Sequence, residues 1–277
     1  MRLDGCGIVV TGGASGFGLA VARRAVELGA RVVSLDLADR DGTADGERIV
    51  FLPCDVTDAD RVVAAFAEAN AALGRIDGVF ANAGVIGTMA PIEELRPDEW
   101  RRTLAVGLDG VFYTLNAAVQ YLAVQGGSIV VTSSITGTRS FATEGAAAYA
   151  AAKAGAVALA QVAAVELGRF GIRVNAIAPG GVRTRIVESA VVRGVDRLAH
   201  ERRADAPLTG PQTSAEDVAE LVCFLFSAAG SRISGVVIPI DGAQSLLGGG
   251  ILRDGGSGRS GPTLAQLVDG GAGGCAG

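Results

Sequence analysis

Hydrophobic residues follow two patterns along this chain, and the patterns alternate. Short continuous apolar runs predict strands that are buried on both faces, as in a parallel sheet. These runs lie at residues 7–11, 31–36, 49–54, 78–81, 128–133, 173–178 and 236–240. Longer segments with helical spacing lie between them, at residues 16–28, 58–73, 97–125, 145–169 and 214–228. The alternation predicts a single-domain α/β fold with a doubly wound parallel sheet of seven strands.

Composition and charge exclude several classes of protein. The chain has 277 residues, 49% of them hydrophobic, and 41 glycines, about twice the usual share of ~7%. The hydrophobic content and a net charge of only −5 exclude a disordered chain. The acidic balance argues against a nucleic-acid partner or an acidic membrane surface, because both attract basic proteins. Twelve of the glycines lie in residues 247–277, which we expect to be a tail that follows a domain of residues 1–246.

Cysteine and histidine usage argues against a metal site. The chain has one histidine, His200, and its cysteines lie far apart, at Cys6, Cys54, Cys223 and Cys275. Scattered thiols are typical of reduced core residues in the cytosol. The first apolar run is too short for a signal peptide, and the Ala/Val-rich segment 146–167 is interrupted by Lys153 and Glu166. We therefore expect a cytoplasmic protein with no metal and no membrane partner.

A glycine-rich segment, Thr11-Gly12-x-x-x-Gly16-x-Gly18, connects the first predicted strand to the first predicted helix. Gly12 permits a tight turn, and Gly16 and Gly18 remove side chains where the backbone must approach a pyrophosphate. The start of the helix offers free N–H groups and a partial positive charge to phosphate groups. The Gly-Lys-Ser/Thr sequence of a nucleoside-triphosphate loop is absent. We expect this segment to bind a dinucleotide through Gly12, Ser15, Gly16, Phe17 and Gly18.

Asp36 ends the second predicted strand, 18 residues after Gly18. A carboxylate at this position can accept hydrogen bonds from the adenosine ribose hydroxyls and repels a 2′-phosphate. The glycine-rich segment contains no basic residue, and Leu37 follows the acid. These features favour NAD over NADP as the cofactor, although Arg40 lies close in sequence. The alternative is that Asp36 is a solvated aspartate at a strand end.

Tyr149 and Lys153 are four residues apart on a predicted helix, so their side chains share one face. A nearby ammonium favours the phenolate and moves the tyrosine pKa from ~10 towards neutrality. Such a tyrosine can exchange a proton with a carbinol or carbonyl oxygen while hydride moves to or from a nicotinamide ring. Ser134, which follows the fifth predicted strand, can hydrogen-bond the same oxygen. Lys153 is the only lysine in a chain that otherwise uses arginine, which indicates that this position requires an amine.

Several motifs, in this order, resemble the short-chain dehydrogenase/reductase family over residues 3–246. They are the glycine-rich segment, Cys54-Asp55-Val56, Asn82-Ala83-Gly84, Ser134, Tyr149-x-x-x-Lys153 and Pro179-Gly180-Gly181-Val182-Arg183-Thr184. The resemblance implies a Rossmann-type domain and an NAD-dependent oxidoreductase that interconverts a secondary alcohol and a ketone. In this family pattern Tyr149 is the general acid/base, Lys153 is its activator, and Ser134 binds the substrate oxygen.

The resemblance also implies contacts with the cofactor and with further copies of the chain. Asp55 and Val56 are expected at the adenine ring, and Asn82, Ala83 and Gly84 beside the pyrophosphate and ribose. Tyr149 and Lys153 are expected at the nicotinamide ribose. The last motif contributes Pro179, Gly180, Val182 and Thr184, of which the last two are expected at the carboxamide. The long apolar helices at 97–125 and 145–169 imply a homotetramer or homodimer, because such helices pair with their symmetry mates in this family.

Two features depart from the family pattern. The family has an asparagine where this chain has Gly107; that asparagine kinks a helix and positions a water that relays the proton through the lysine. We therefore expect a weakened or rewired relay, and the alternative function is an inactive NAD-binding sensor or scaffold. The spacing from Ser134 to Tyr149 is also slightly long, which leaves Ser133 as an alternative to Ser134.

Residues 183–207 are expected to cover the substrate, because they follow the sixth predicted strand beside the nicotinamide site. Their interspersed arginine and acidic residues are typical of a solvated helix with i,i+4 ion pairs, and the alternative is a site for an anionic substrate. A cis-dihydrodiol is an alternative substrate class. The tail at 247–277 is expected to be a flexible extension; the alternatives are docking to a partner and capping of the substrate cleft.

Overall fold

The central sheet is parallel and has the number of strands expected from the sequence. The computed structural model describes residues 1–37, 48–139, 143–181, 190–195 and 212–246. Its strands are β1 (Gly7–Thr11), β2 (Arg31–Asp36), β3 (Ile49–Pro53), β4 (Gly78–Ala81), β5 (Thr88–Met89), β6 (Gly127–Thr132), β7 (Ile172–Pro179), β8 (Val191–Val192) and β9 (Val237–Ile240). Seven of them form one sheet in the order β3-β2-β1-β4-β6-β7-β9. The predicted fold class is confirmed.

Helices cover both faces of this sheet. They are α1 (Gly16–Glu27), α2 (Ala59–Leu73), α3 (Pro97–Leu104), α4 (Gly110–Leu122), α5 (Ala147–Leu167) and α6 (Ala215–Phe226). Apolar residues of α1 and α6 pack on one face of the sheet, and those of α2, α4 and α5 pack on the other. The strands are buried between these layers, which explains why their sequences are continuously apolar rather than alternating.

One predicted helix is divided into three pieces. The segment predicted as a helix at 97–125 consists of α3, a π-helical turn at Ala105–Asp109, and α4. Gly107 lies in the π turn and Gly110 directly follows it. Glycine is a poor helix former, and insertion of an extra residue into a helical turn is common near functional sites. Helical periodicity alone could not reveal this interruption.

A small second sheet was not predicted. Strands β5 and β8 pair in parallel through Thr88 with Val191 and Met89 with Val192. Strands of two residues are too short to produce a detectable period. The solvated helix expected over 183–207 is therefore wrong at residues 190–195, where β8 pairs with a strand a hundred residues earlier in the chain. Residues 182–189 and 196–211, which include most of the expected substrate cover, lie outside the described residues, as does the tail at 247–277.

Helix α5 is long and apolar enough to cross a membrane by length and composition alone. It packs against β7 and carries Lys153, a lysine whose surface is only 3% exposed. A buried ammonium on a helix that covers a sheet is typical of a core helix. Because the strands are parallel, the residues that follow β1, β2, β4, β6 and β7 meet at one edge of the sheet, next to the first turns of α5.

Candidate active site

The glycine-rich segment leaves an open surface at the start of α1. Gly12 has φ +66° and Gly16 has φ +51°, both in the left-handed region that favours glycine. A Cβ at Gly18 would overlap the carbonyl group of Gly12, so only glycine allows this close approach. A Cβ at Gly16 would have no neighbour within 4 Å, which shows that the backbone here faces open space.

The first turn of α1 fits a phosphate group. Ser15 is the N-cap residue, its side chain makes no capping hydrogen bond, and the first turn of the helix contains no acidic residue. Phe17 packs its ring against the apolar layer between α1 and the sheet. The N–H groups at the helix start are therefore directed to the open surface beside Gly16, as an anion site requires. The residues present fit the pyrophosphate of a dinucleotide.

Asp36 stands beside the same loop. Its Oδ2 accepts a hydrogen bond from the Ala14 N–H at 2.9 Å. Leu37, directly after it, is 72% exposed. This geometry places a carboxylate next to the glycine-rich segment, as the sequence predicts.

Asp55 and Val56 lie after β3 and have local partners. Asp55 Oδ1 accepts hydrogen bonds from the Thr57 N–H at 2.9 Å and the Thr57 hydroxyl at 2.8 Å. Val56 is buried, and a Cβ at Gly110 would collide with its side chain, so Val56 packs tightly against the start of α4. Their contact with adenine stays a prediction.

A hydrogen-bonded network links the glycine-rich segment to the lysine. Asn82 Nδ2 donates to the carbonyl oxygens of Thr11 at 3.1 Å and Gly12 at 3.2 Å. The Thr132 hydroxyl donates to Asn82 Oδ1 at 3.2 Å. Lys153 Nζ donates to the Thr132 carbonyl oxygen at 2.8 Å. Thr132 therefore joins the two halves of the site. This role could not be predicted from the sequence, because Thr132 belongs to no motif.

Ala83 and Gly84 complete this side of the site. The Ala83 N–H donates to Thr11 Oγ1 at 3.2 Å. A Cβ at Gly84 would lie 3.3 Å from Lys153 Nζ. The absence of a side chain at Gly84 therefore leaves room for the ammonium group.

The predicted catalytic residues meet at the start of α5. The side chains of Ser134 and Tyr149 are hydrogen-bonded to each other. Burial raises the pKa of Tyr149, and the hydrogen bond with Ser134 acts in the opposite direction. The shift towards neutrality that the sequence predicts from Lys153 is therefore wrong for this structure, because the effect of burial on the phenol is larger. Lys153 Nζ lies 5.9 Å from the centre of the Tyr149 ring. The three side chains thus form one cluster, in which the phenol has a polar partner on one side and a cation on the other.

The geometry favours Ser134 over Ser133 as the substrate ligand. The Ser133 hydroxyl donates to the backbone carbonyl oxygen of Lys153 at 2.9 Å, and Ser133 is only 2% exposed. Its hydroxyl is therefore occupied in holding α5 to the end of β6. The longer sequence spacing does not separate Ser134 from Tyr149.

Gly107 lies on the neighbouring π turn and is buried against α5. A Cβ at this position would lie 3.1 Å from the Ala152 Cβ, one residue before the lysine. Lys153 Nζ has the Thr132 carbonyl as a partner. The asparagine of the family pattern is replaced here by close contact between the π turn and α5.

The loop after β7 is hydrogen-bonded to β9 and to the residues that follow β9. Pro179 ends β7, and the Gly180 N–H donates to the Ile240 carbonyl oxygen at 3.0 Å. The Gly181 N–H donates to Gln244 Oε1 at 2.8 Å. Val182 and Thr184, which are expected at the carboxamide, lie outside the described residues.

The buried ammonium of Lys153 should cost stability that a neutral side chain would recover. Burial lowers the pKa of Lys153 from 10.5 to about 8. One pKa unit corresponds to about 1.4 kcal/mol, and Lys153→Met also removes the hydrogen bond to Thr132. We expect Lys153→Met to raise the free energy of unfolding at pH 7.5 by about 1–2 kcal/mol, measured by urea denaturation, while it abolishes turnover.

The same experiment has a defined pH dependence. Between about pH 8 and pH 10 the unfolded lysine stays protonated while the folded one loses its proton, so the stability of the wild type rises with pH. The advantage of Lys153→Met should therefore shrink from pH 7.5 to 9.5. Lys153→Arg is the matched control, because it keeps a permanent charge and has no such pH dependence. A less stable methionine variant, or a difference that does not change with pH, contradicts this account.

Comparisons with known proteins agree with this geometry. A family model described as enoyl-(acyl carrier protein) reductase matches residues 12–243. Levodione reductase of Leifsonia aquatica is 35% identical over 252 residues, which cover 86% of this chain and 93% of that protein. Cis-4-hydroxycyclohexanecarboxylate dehydrogenase of Sinomonas cyclohexanicum is 38% identical over 246 residues, which cover 86% and 96% of the two chains.

A solved structure extends the agreement to three dimensions. The crystal structure of 3-ketoacyl-(acyl-carrier-protein) reductase from Brucella melitensis complexed with NADH superposes with a TM-score of 0.80 at 27% identity. The match covers 88% of this chain and 100% of that chain. The parallel sheet, the glycine-rich segment and the Ser134–Tyr149–Lys153 cluster all lie within residues 1–246, and these relatives match 86–88% of the chain. This chain belongs to the short-chain dehydrogenase/reductase family and is an oxidoreductase that uses a nicotinamide cofactor.

Proposed function

We propose that this protein is an NAD-dependent dehydrogenase that interconverts a secondary alcohol on an alicyclic ring with the corresponding ketone. The observation that carries the proposal is the hydrogen bond between Ser134 and Tyr149, with Lys153 Nζ beside the Tyr149 ring. The cis-4-hydroxycyclohexanecarboxylate dehydrogenase, whose name specifies a hydroxyl on a cyclohexane ring, supports the substrate class. The alternative of a cis-dihydrodiol has no comparable support among these relatives.

Residues of this chain account for the proton transfer that accompanies hydride transfer. When bound, the nicotinamide ring supplies or accepts the hydride. In the oxidation direction the Ser134 hydroxyl hydrogen-bonds the carbinol oxygen, and the Tyr149 phenolate takes the hydroxyl proton as the C–H bond breaks. The Lys153 ammonium stabilises that phenolate electrostatically. In the reduction direction Tyr149 returns the proton to the ketone oxygen.

An inactive sensor or scaffold is not favoured, even though Gly107 replaces the asparagine of the family pattern. The Ser134–Tyr149 pair and the buried Lys153 ammonium are retained, and burial of an ammonium costs stability. A protein that only bound the cofactor could use Lys153 at the ribose, but it would not need Tyr149 hydrogen-bonded to Ser134 beside that ammonium. We infer that proton exchange proceeds without the asparagine, with Lys153 held by Thr132.

Loss of the Tyr149 hydroxyl should abolish this activity. We expect the wild type to reduce NAD with at least one alcohol from a panel of cyclohexanols, hydroxycyclohexanecarboxylates and acyclic secondary alcohols, followed by NADH absorbance. Tyr149→Phe should lower kcat by at least about 100-fold, because general acid/base catalysis contributes 10²–10⁴-fold. Tyr113→Phe, a substitution of a partly buried tyrosine on α4, is the matched control. Unchanged turnover in Tyr149→Phe contradicts the proposed role.

Asp36 supports NAD rather than NADP. Its carboxylate lies beside the glycine-rich segment. In this position it would accept hydrogen bonds from the ribose hydroxyls of NAD and repel the 2′-phosphate of NADP. Leu37 follows it as an exposed apolar residue rather than a basic one. The NADH complex of the Brucella melitensis reductase is consistent with this choice, although the preference of the present chain rests on its own Asp36.

Replacing the acid should reverse the cofactor preference. Asp36→Ala should raise KM for NAD about tenfold or more, because it removes a charge-assisted hydrogen bond worth ~1.5–3 kcal/mol. Asp36→Ala combined with Leu37→Arg should add turnover with NADP, since the guanidinium can pair with the 2′-phosphate. The measurement is kcat/KM for each cofactor at saturating alcohol. Asp60→Ala, at an exposed acid on α2, should change neither value. A wild type that uses NADP as well as NAD contradicts the assignment.

We also propose that the protein is a homotetramer or homodimer. Helix α5 exposes Val162 and Val165, which are 55% and 84% exposed, and α4 exposes Phe112 at 50%. Apolar residues on the outer faces of two adjacent helices favour a symmetric, self-complementary contact.

Negative charges introduced on the exposed apolar face of α5 should therefore dissociate the oligomer. Light scattering after size exclusion should give a mass that is a multiple of 27.8 kDa for the wild type. Val162→Glu/Val165→Glu should lower this mass. Val63→Glu, at a 46% exposed valine on α2, is the matched control and should leave it unchanged. A monomeric wild type contradicts the proposal.

A further inference from the structure

The small β5–β8 sheet is held by a long-range ion pair. Both guanidinium N–H groups of Arg193 reach Glu99 on α3, with Nη1 to Oε1 and Nη2 to Oε2 each at 3.0 Å. Nη2 also donates to the Glu94 carbonyl oxygen at 2.5 Å. Glu99 is 7% exposed, and its Oε2 accepts a further hydrogen bond from the Arg96 N–H at 3.0 Å.

The backbone adds to this attachment. The Val191 N–H donates to the Gly87 carbonyl oxygen at 3.2 Å, and the Arg193 N–H donates to the Met89 carbonyl oxygen at 2.9 Å. Gly194 follows with φ +67°, which turns the chain directly after the arginine. A bidentate pair between planar groups fixes orientation as well as distance. Arg193 therefore fixes the direction of the chain at β8.

The β5–β8 sheet contacts the segment that leads into α5 and the catalytic cluster. The Ala90 N–H, directly after β5, donates to the Gly145 carbonyl oxygen at 3.1 Å. A Cβ at Gly145 would lie 3.0 Å from Val195 Cγ1, so the segment after β8 packs on the same residue. Gly145 lies four residues before Tyr149. Strand β5 begins four residues after Gly84, the glycine whose missing side chain leaves space for the Lys153 ammonium group.

These contacts indicate which part of the site the Arg193–Glu99 ion pair influences. Asn82 and the glycine-rich segment, which are expected to bind the cofactor, are joined by hydrogen bonds that do not involve residues 190–195. The pair instead connects the chain after β7 to α3 and to the start of α5. We therefore expect the ion pair to act on the substrate side of the cluster, since none of its contacts involves Asn82 or the glycine-rich segment.

We propose that Arg193 and Glu99 are positioning residues that hold the β5–β8 sheet against the start of α5 and thereby set the affinity for the alcohol or ketone. The proposal rests on the proposed dehydrogenase function. It does not make either residue catalytic, since each acts through the sheet that it holds. The guanidinium of Arg193 and the Arg96 N–H lower the pKa of Glu99 to about 2, so the pair stays ionised throughout the pH range of an assay.

The central test separates substrate affinity from turnover and from cofactor binding. The substrate is the panel alcohol with the highest kcat/KM in the wild type. Arg193→Met should raise its KM at least tenfold, while kcat changes less than threefold and the Kd for NADH, from its fluorescence on binding, less than twofold. Arg193→Lys, which keeps the charge and loses the bidentate geometry, should give an intermediate KM. Arg101→Met, at an exposed arginine on α3, should match the wild type.

A double variant separates the positioning role of the ion pair from the effect of leaving the buried Glu99 carboxylate without a partner. Arg193→Met leaves the buried Glu99 carboxylate without its guanidinium, which by itself should lower the melting temperature. Glu99→Gln/Arg193→Met removes that unpaired charge, so the melting temperature should recover while KM stays high. Recovery of KM in the double variant overturns the positioning role, because it would show that only the unpaired charge mattered.

Hydrogen exchange gives a readout that does not depend on turnover. In Arg193→Met the amides of residues 191 and 193 should exchange faster, because their hydrogen bonds to the Gly87 and Met89 carbonyl oxygens are no longer supported by the ion pair. Peptides from β1 and β6 should not change. A wild type that turns over no alcohol or ketone rejects the proposed function. A wild type with turnover, together with an unchanged KM in Arg193→Met, rejects the positioning role alone.

Discussion

The buried ammonium group of Lys153 is the constraint on which the rest of the site depends. An ammonium that leaves water needs polar partners, and Lys153 Nζ has one in the Thr132 carbonyl oxygen at 2.8 Å. That carbonyl is available because Thr132 is the last residue of β6, where the sheet stops using it. The Thr132 hydroxyl then reaches Asn82, which holds the carbonyl groups of the glycine-rich segment. The site of the cation and the site of the pyrophosphate are therefore parts of one network.

The same constraint explains several small residues around the lysine. Gly84 leaves space for Nζ, and a Cβ at Gly137 would collide with the Lys153 backbone. Ser133 holds the Lys153 carbonyl oxygen. These contacts fix the first turns of α5 against the end of β6, so that Tyr149, one turn earlier, reaches Ser134. A side chain that can lose its proton suits this position, whereas arginine, used everywhere else in the chain, cannot.

Residues whose role depends on local spacing could be predicted from the sequence. The strand ends, the glycine-rich segment and the Tyr149–Lys153 pair are each defined within a few residues, and the structure brings them to one edge of the sheet. Thr132 could not be predicted, because its backbone carbonyl is a group that any residue has and its hydroxyl reaches Asn82, fifty residues away in the sequence. The β5–β8 sheet and the Arg193–Glu99 pair join segments about a hundred residues apart, and neither segment has a period or a motif. The π turn at Gly107 was not predicted either, because the sequence pattern was interpreted as one continuous helix over residues 97–125.

The two halves of the site are therefore built by different means. The cofactor half depends on glycines and backbone groups that tolerate little change, because a Cβ at Gly18 would overlap the carbonyl of Gly12. The substrate half depends on a side-chain ion pair that brings distant segments together, and side chains can change without disturbing the sheet. Under the proposed function, a fixed cofactor site beside a variable substrate site lets one hydride-transfer chemistry act on different secondary alcohols. Gly107, in the π turn between α3 and α4, belongs to the fixed half, because a Cβ at this position would lie 3.1 Å from the Ala152 Cβ.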